Sequence, residues 1–252
     1  MSAEHLLIDV GNGRTKFGLA TRDAILDQRD MPTPTLSADG LRELLKEWKY
    51  EDVICSSVVP QATELLRAFF GGRLLALRHD TELGIGIRYP NPETIGADRL
   101  ANAVALAKLY GAPGIVIDFG TAVTFDIVDA DACYVGGVIA PGLRLMTEYL
   151  HERTALLPKV ELSEPASVIG KSTEQAILAG AAIGYRGMVR GLLDALKKEL
   201  GSPERLHVIA TGGDASWIAS GLPEIESVDM DLTLHGLRLV ANLHALHEHR
   251  PH

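Results

Sequence analysis

The chain has 252 residues, enough for one large or two smaller domains, and its 46% apolar and 23% charged content is that of an ordinary soluble globular protein. A formal net charge of −9 argues against nucleic acid or an anionic membrane as the main partner, yet allows a nucleotide held by local donors and a metal. Cys55 and Cys133 show no paired spacing and lie in strand-like apolar runs, so buried thiols in a reducing compartment are expected. No basic, apolar, small-residue leader opens the chain and no apolar stretch reaches membrane-spanning length; the expectation is a cytoplasmic protein without a membrane partner.

In chain order, Leu6–Val10 reads as a buried strand, Gly11-Asn12-Gly13 as a tight turn, and Thr15–Ala20 as the returning strand. A helix is expected over 37–48, a strand over 52–58 ending in Ser56 and Ser57, a helix over 61–70 and a strand over 73–77. The polar loop Arg88-Tyr89-Pro90-Asn91-Pro92-Glu93 then leads into Gly96-Ala97-Asp98-Arg99. From Asp98 to Tyr110 an alanine- and leucine-rich helix runs until Gly111 and Pro113 stop it, and a domain boundary is expected near residue 112. The opening pattern then returns: Ile115–Asp118, Phe119-Gly120-Thr121, and a second apolar segment from Val123 to Val128. The second half thus offers three strands in all before a helix after Pro141-Gly142, a loop to Ser172 and a long helix through Leu200. The strand His207–Ala210, the turn Thr211-Gly212-Gly213-Asp214 and a helix over 234–246 close the chain. Strands and helices mix throughout, so the class is α/β. The repeated hairpin suggests two related domains, 1–112 and 113–252, facing each other across a cleft.

The turn chemistry gives the repeat a purpose. Glycine leaves backbone N–H groups open to an anion, and Asn12, Thr121 and Thr124 add side-chain donors. An aspartate at each strand end, Asp9 and Asp118, repels phosphate unless a hard cation sits between them, as magnesium does when it bridges phosphates. Lys16 adds a positive charge. Asp98 stands where it caps a helix, the use that spacing alone favours, and an acid there could also accept a hydroxyl proton; Arg99 beside it offers a planar fork for a carboxylate. The turn at Gly212 and Gly213 suits an adenine lying on bare backbone.

Other motifs fail on inspection. Gly170-Lys171-Ser172 would end a P-loop, but Pro165 stands at its first glycine. Gly11-x-Gly13 lacks the last glycine of a dinucleotide motif, with Lys16 in its place. Asp129 and Asp131 lack the glutamate of a calcium loop and read as a hairpin turn. His244, His247, His249 and His252 read as a frayed helix end and not a metal site.

Taken together, the segments 9–16, 89–92, 96–99, 118–122, Gly136-Gly137, Pro141-Gly142, 170–173 and 211–215 resemble, in order and spacing, those of type III pantothenate kinases of the actin-like ATPase superfamily. The resemblance covers essentially the whole chain. It implies two actin-like (ribonuclease H-like) domains and ATP-dependent phosphorylation of pantothenate, the first step to coenzyme A, in a cytoplasmic homodimer. It also implies Mg2+ and a monovalent cation, K+ or NH4+. By the same resemblance Asp98 is the proton acceptor. Asp9, Gly11, Asn12, Lys16, Gly120, Thr121, Thr124, Gly212 and Gly213 bind ATP, with Asp118 and Asp9 toward the metal ions. Tyr89, Gly96, Ala97, Arg99 and Thr173 bind pantothenate. Gly13 stands where the family usually has threonine or serine, and Val123 replaces a frequent threonine. Two rival readings are another small-molecule kinase of the superfamily and a nucleotide-binding regulator without turnover, some family members having first been described as accessory factors for gene expression.

Overall fold

The computed structural model describes residues 3–248. In chain order β1 (His5–Val10), β2 (Arg14–Ala20) and β3 (Ile25–Pro32) precede α1 (Ala38–Leu45), β4 (Asp52–Ser57), α2 (Pro60–Phe70) and β5 (Leu74–Ala76). Next come β6 (Gly86–Ile87), α3 (Ala97–Ala105), β7 (Gly114–Phe119), β8 (Ala122–Val128), β9 (Cys133–Pro141) and α4 (Leu143–Glu152). The chain continues through α5 (Thr173–Ala179), α6 (Tyr185–Glu199), β10 (His207–Thr211), α7 (Ala215–Ala219), β11 (Ser227–Val228) and α8 (Leu232–Glu248). The expected elements are present within a few residues. β3, β6, β11 and α7 are additions: β3 is a charge-bearing strand with alternating half-burial, and the other three are very short.

The chain forms two compact units, residues 1–111, 130–136 and 231–252 in the first and residues 112–129 and 137–230 in the second. The expected second domain, 113–252, therefore gives up two stretches. The short segment 130–136 joins the first unit because Cys133 and Tyr134 pair with Gly86 and Ile87 of β6. The closing helix α8 joins it because Leu234, Leu237, Val240 and Ala241 share a core with Leu100, Ala101 and Val104 of α3.

The first unit is built on a sheet ordered β3-β2-β1-β4-β5. β1, β2 and β3 are antiparallel neighbours, and β4 and β5 continue the sheet in parallel. The strand period of two sorts its apolar residues. Leu6, Ile8, Val53 and Cys55 pack under α1 and α2, whereas Leu7 and Ile54 face α3 and α8. Burying both faces needs nearly continuous apolar runs, and that is why Leu6–Val10 and Val53–Cys55 read so clearly.

The second unit repeats the plan: β11-β10-β7-β8-β9, with β8 antiparallel to β7 and β10 and β11 parallel beyond it. The strands in the first unit's order have the same sequential pattern. A long helical run, Thr173–Glu199, crosses this unit through α5, a π-helical turn at Gly180–Gly184 and α6. It corrects the expectation about membrane-spanning stretches: 27 residues with mean hydropathy 1.2 in its best window satisfy length and composition. Its Ala181, Ala182, Tyr185, Val189 and Leu193 are buried within the unit, while only 33% of that window is buried.

Cys55 is buried in β4, and burial pushes its thiol pKa up to about 12. Cys133, expected to be buried, is only half-buried, since it opens β9. His249 and His252 of the terminal histidines lie outside the described residues, as does the side chain of His247.

Candidate active site

In the first hairpin, Asp9 at the end of β1 lies directly opposite Lys16 of β2 on one side and Ser56 of β4 on the other. Residues opposite one another in a sheet share a face, so a carboxylate, an ammonium and a hydroxyl form one row. Ser56 Oγ donates to Asp9 Oδ1 at 3.2 Å. The turn itself is closed by Gly11 N–H donating to the Arg14 carbonyl at 3.0 Å. Thr33 braces it from beneath: its hydroxyl donates to the Gly11 carbonyl at 2.7 Å and its amide to the Gly13 carbonyl at 3.1 Å. Asn12 and Gly13 are exposed, and a side chain at Gly13 would meet nothing within 4 Å. Sterics therefore do not require a glycine there.

The second hairpin has a matching row, with a hydroxyl where the first has the ammonium. Asp118 at the end of β7 lies opposite Thr124 of β8 and Thr211 of β10. Gly120 N–H closes the turn to the Ala122 carbonyl at 3.1 Å, leaving Thr121 exposed. Val123 is fully buried, so its apolar side chain belongs to the core. Gly212 has φ +93°, the left-handed region glycine favours. A Cβ there would stand 2.7 Å from the Phe119 backbone and collide with the Asp118 carboxylate. Gly212 thus lets the turn of Gly212 and Gly213 press onto the second hairpin.

A third group gathers at the start of α3 in the first unit. Gly96 is the N-cap residue and Asp98 lies inside the first turn, so Asp98 does not occupy the cap position its sequence suggested. Its Oδ1 instead accepts the Arg99 N–H at 2.8 Å. A Cβ on Gly96 would come within 2.5 Å of that same oxygen, so the glycine makes room for the carboxylate. Burial raises the Asp98 pKa above the usual carboxylate range, against the lowering effects of the Arg99 amide and the Arg99 charge. Arg99 lies 5.8 Å above the Tyr134 ring, and Tyr134 meets Tyr89 edge-on with centroids 6.2 Å apart. Gly136 leaves room for the Tyr89 ring, which lies 3.7 Å from where its Cβ would be. Ala97, the first residue of α3, is buried. The structure thus gathers Tyr89, Gly96, Asp98 and Arg99 in one unit and adds Tyr134, which sequence reasoning missed because β9 delivers it from a distant part of the chain.

Thr173 belongs to the second unit. Ser172 Oγ caps α5 by accepting the Gln175 N–H at 3.2 Å, while Gln175 Oε1 accepts the Lys171 N–H at 2.8 Å. Capping is the local role of the Gly-Lys-Ser-Thr run. Thr173 lines an apolar cavity of about 440 Å³ with Leu143, Met146 and Leu150 of α4 and Ile177 of α5.

The donor sets fit a nucleotide-bound divalent cation. Among the described residues no three His, Cys, Asp or Glu side chains group around a metal position. Single carboxylates at Asp9 and Asp118 beside open turns suit magnesium, which takes one or two carboxylates and completes its shell with phosphates and water.

Two copies of one sheet plan, each with an acid-ended glycine hairpin, define an actin-like kinase fold. Solved structures agree on that fold: a Campylobacter jejuni protein bearing the name Baf family transcriptional activator has a TM-score of 0.65 at 19% identity, covering 96% of this chain and 99% of that one. The Arthrobacter inorganic polyphosphate/ATP-glucomannokinase has a TM-score of 0.50 at 17% identity, covering 98% and 100%. The chain belongs to the type III pantothenate kinase family, whose model matches residues 5–195. Type III pantothenate kinases of Akkermansia muciniphila and Methylacidiphilum infernorum are 50% and 48% identical to it, over 95% and 94% of this chain and 98% and 88% of theirs.

Proposed function

We propose that this chain phosphorylates the primary hydroxyl of pantothenate with ATP, giving 4′-phosphopantothenate and ADP, the first step of coenzyme A biosynthesis. The observation that carries the reading is the Asp98 cluster: a half-buried carboxylate of raised pKa, an arginine and two tyrosines at one helix start. Asp98 accepts the proton as the hydroxyl oxygen attacks the γ-phosphorus and the bond to the ADP oxygen breaks. A base of this kind contributes about 10²–10⁴-fold, and positioning and charge neutralisation supply the rest. Arg99 holds the pantothenate carboxylate, with Tyr89, Gly96, Ala97 and Thr173 around the substrate. Asp9, Gly11, Asn12 and Lys16 serve the ATP phosphates with Gly120, Thr121 and Thr124, and Gly212 and Gly213 lie under adenosine. Asp9 would hold Mg2+ and Asp118 a monovalent cation, K+ or NH4+, and such ions would supply screening of the phosphate charge.

The enzyme acts as a cytoplasmic homodimer, without nucleic acid or membrane. Supporting the dimer, Gly180, Gly184, Gly187 and Gly191 are all exposed on the 173–199 helix, and a Cβ on any of them would meet nothing within 4 Å. Their spacing of four, three and four residues puts them on one helix face and permits close approach of another helix. Ile183, Leu145 and Tyr149 are exposed apolar residues of the same unit.

ADP release is to be measured with pantothenate, acetate, glycerol or no acceptor. Release with pantothenate alone is the expected result. Release with another acceptor would reassign the substrate, and none with any would leave a nucleotide-binding regulator.

A further inference from the structure

Arg144, in the first turn of α4, donates from Nε to both carboxylate oxygens of Asp214, at 2.9 and 3.3 Å. Asp214 is only 9% exposed, whereas the arginine side chain is 69% exposed. Among the described residues no hydrogen bond engages the terminal Nη groups of Arg144.

The two partners flank one turn. The Asp214 amide donates to the Phe119 carbonyl at 3.3 Å, following Gly212, which presses on the same residue. From the other segment, the Gly142 amide donates to the Thr121 carbonyl at 3.1 Å, and a Cβ on Gly142 would meet the Thr121 carbonyl carbon at 2.8 Å. The glycine turn and the start of α4 therefore both rest on Phe119–Thr121, and the ion pair joins them above it. A pair with one partner this exposed adds little stability. A buried carboxylate beside an anion site also opposes the anion, unless it aims a cation at it.

We propose that Arg144 contacts the phosphates of the bound nucleoside triphosphate and that Asp214 is the positioning residue that aims it. The proposal rests on the reading of the second hairpin as a phosphate site. With Nε fixed, the Nη edge of the guanidinium stays available, and a guanidinium matches phosphate oxygens in planar, charge-assisted hydrogen bonds.

The test is equilibrium binding of a fluorescent ATP analogue, with ATP and adenosine as competitors, to the whole protein and to Arg144→Ala, Arg144→Lys, Asp214→Ala and the double alanine variant. Melting curves establish that each is folded. Arg144→Ala should weaken ATP on the order of tenfold to a hundredfold and leave adenosine within about twofold, because adenosine carries no phosphate. Arg144→Lys should recover part of the loss. Asp214→Ala should weaken ATP by less than Arg144→Ala, and the double variant should be no worse than Arg144→Ala, as a residue acting through another requires. Equal losses for ATP and adenosine, or additive losses in the double variant, would overturn the proposal in favour of a clasp holding the glycine turn. Were the parent to bind neither ligand, the phosphate-site reading itself would fail; a parent that binds ATP beside an unchanged Arg144→Ala overturns the arginine contact alone.

Discussion

Asp98 is poised against its own stability. Burial raises its pKa above that of an ordinary aspartate, so the folded chain holds that proton more tightly than the unfolded chain does. The protonated group therefore favours folding fully below the unfolded carboxylate range, and that benefit is lost as pH rises through the raised folded value. At neutral pH the charged carboxylate is a cost, one that the proposed proton abstraction requires. Asp98→Asn removes the charge and keeps an oxygen for the Arg99 amide. It should lower kcat on the order of 10²-fold or more, while the Tm at pH 7 stays level or rises. A large fall in Tm together with kcat would make Asp98 a structural residue. In the parent, activity should rise with pH along a limb displaced above that of an ordinary aspartate, and Asp98→Asn should lose that limb from its kcat/KM profile. Asp98, Lys16 and the glycines were legible because each sits inside a short local pattern. Thr33, Ser56, Tyr134 and Arg144 acquire their contacts through register between distant segments, which no local pattern in the sequence reports.

At the scale of elements, strands buried on both faces were the easiest to read and exposed or minimal ones the hardest. β1 and β7 are unbroken apolar runs ending in Asp9 and Asp118, while β3 carries Asp27, Arg29 and Asp30 and offers no such run. The packing of α8 on α3 was not legible either, since it depends on contacts between segments some 131 residues apart in the chain. Gly236 of α8 lies against the Ala101 backbone of α3, where a Cβ would stand 2.5 Å from the carbonyl carbon. Beside it, Thr233 Oγ1 donates to Asn102 Oδ1 at 2.8 Å in a buried pair. Gly236→Ala should force the helices apart and cost about 2 kcal/mol or more, a Tm fall of roughly 4–8 °C. Thermal melts of the parent and variant decide it: an unchanged Tm would mean that the interface gives freely. The variant also bears on Asp98, because Ala101 is one turn along the same helix.

For the whole molecule, the proposed dimer has a direct consequence. Gly184→Glu and Gly187→Glu place charge on the open glycine face without touching the interior, so each should leave the fold intact and shift the protein toward a 27.1 kDa monomer. Light scattering reads the mass, and activity on serial dilution should fall where the mass does. A parent that is monomeric and fully active would remove the dimer. The division of the chain also sets an order in time. The first unit is made of residues 1–111 and 130–136, but its core is completed only by 231–252, after the whole second unit has been synthesised. Until α8 emerges, Leu7, Ile54, Leu100 and Val104 lack the Leu234, Leu237 and Val240 that cover them. At ~5–20 residues per second that face stays open on the order of ten seconds on the ribosome. Asp98, the proposed proton acceptor, thus sits in a half-built unit for most of translation. The second unit, with its hairpin and glycine turn contiguous apart from a brief excursion at 130–136, is free to settle first.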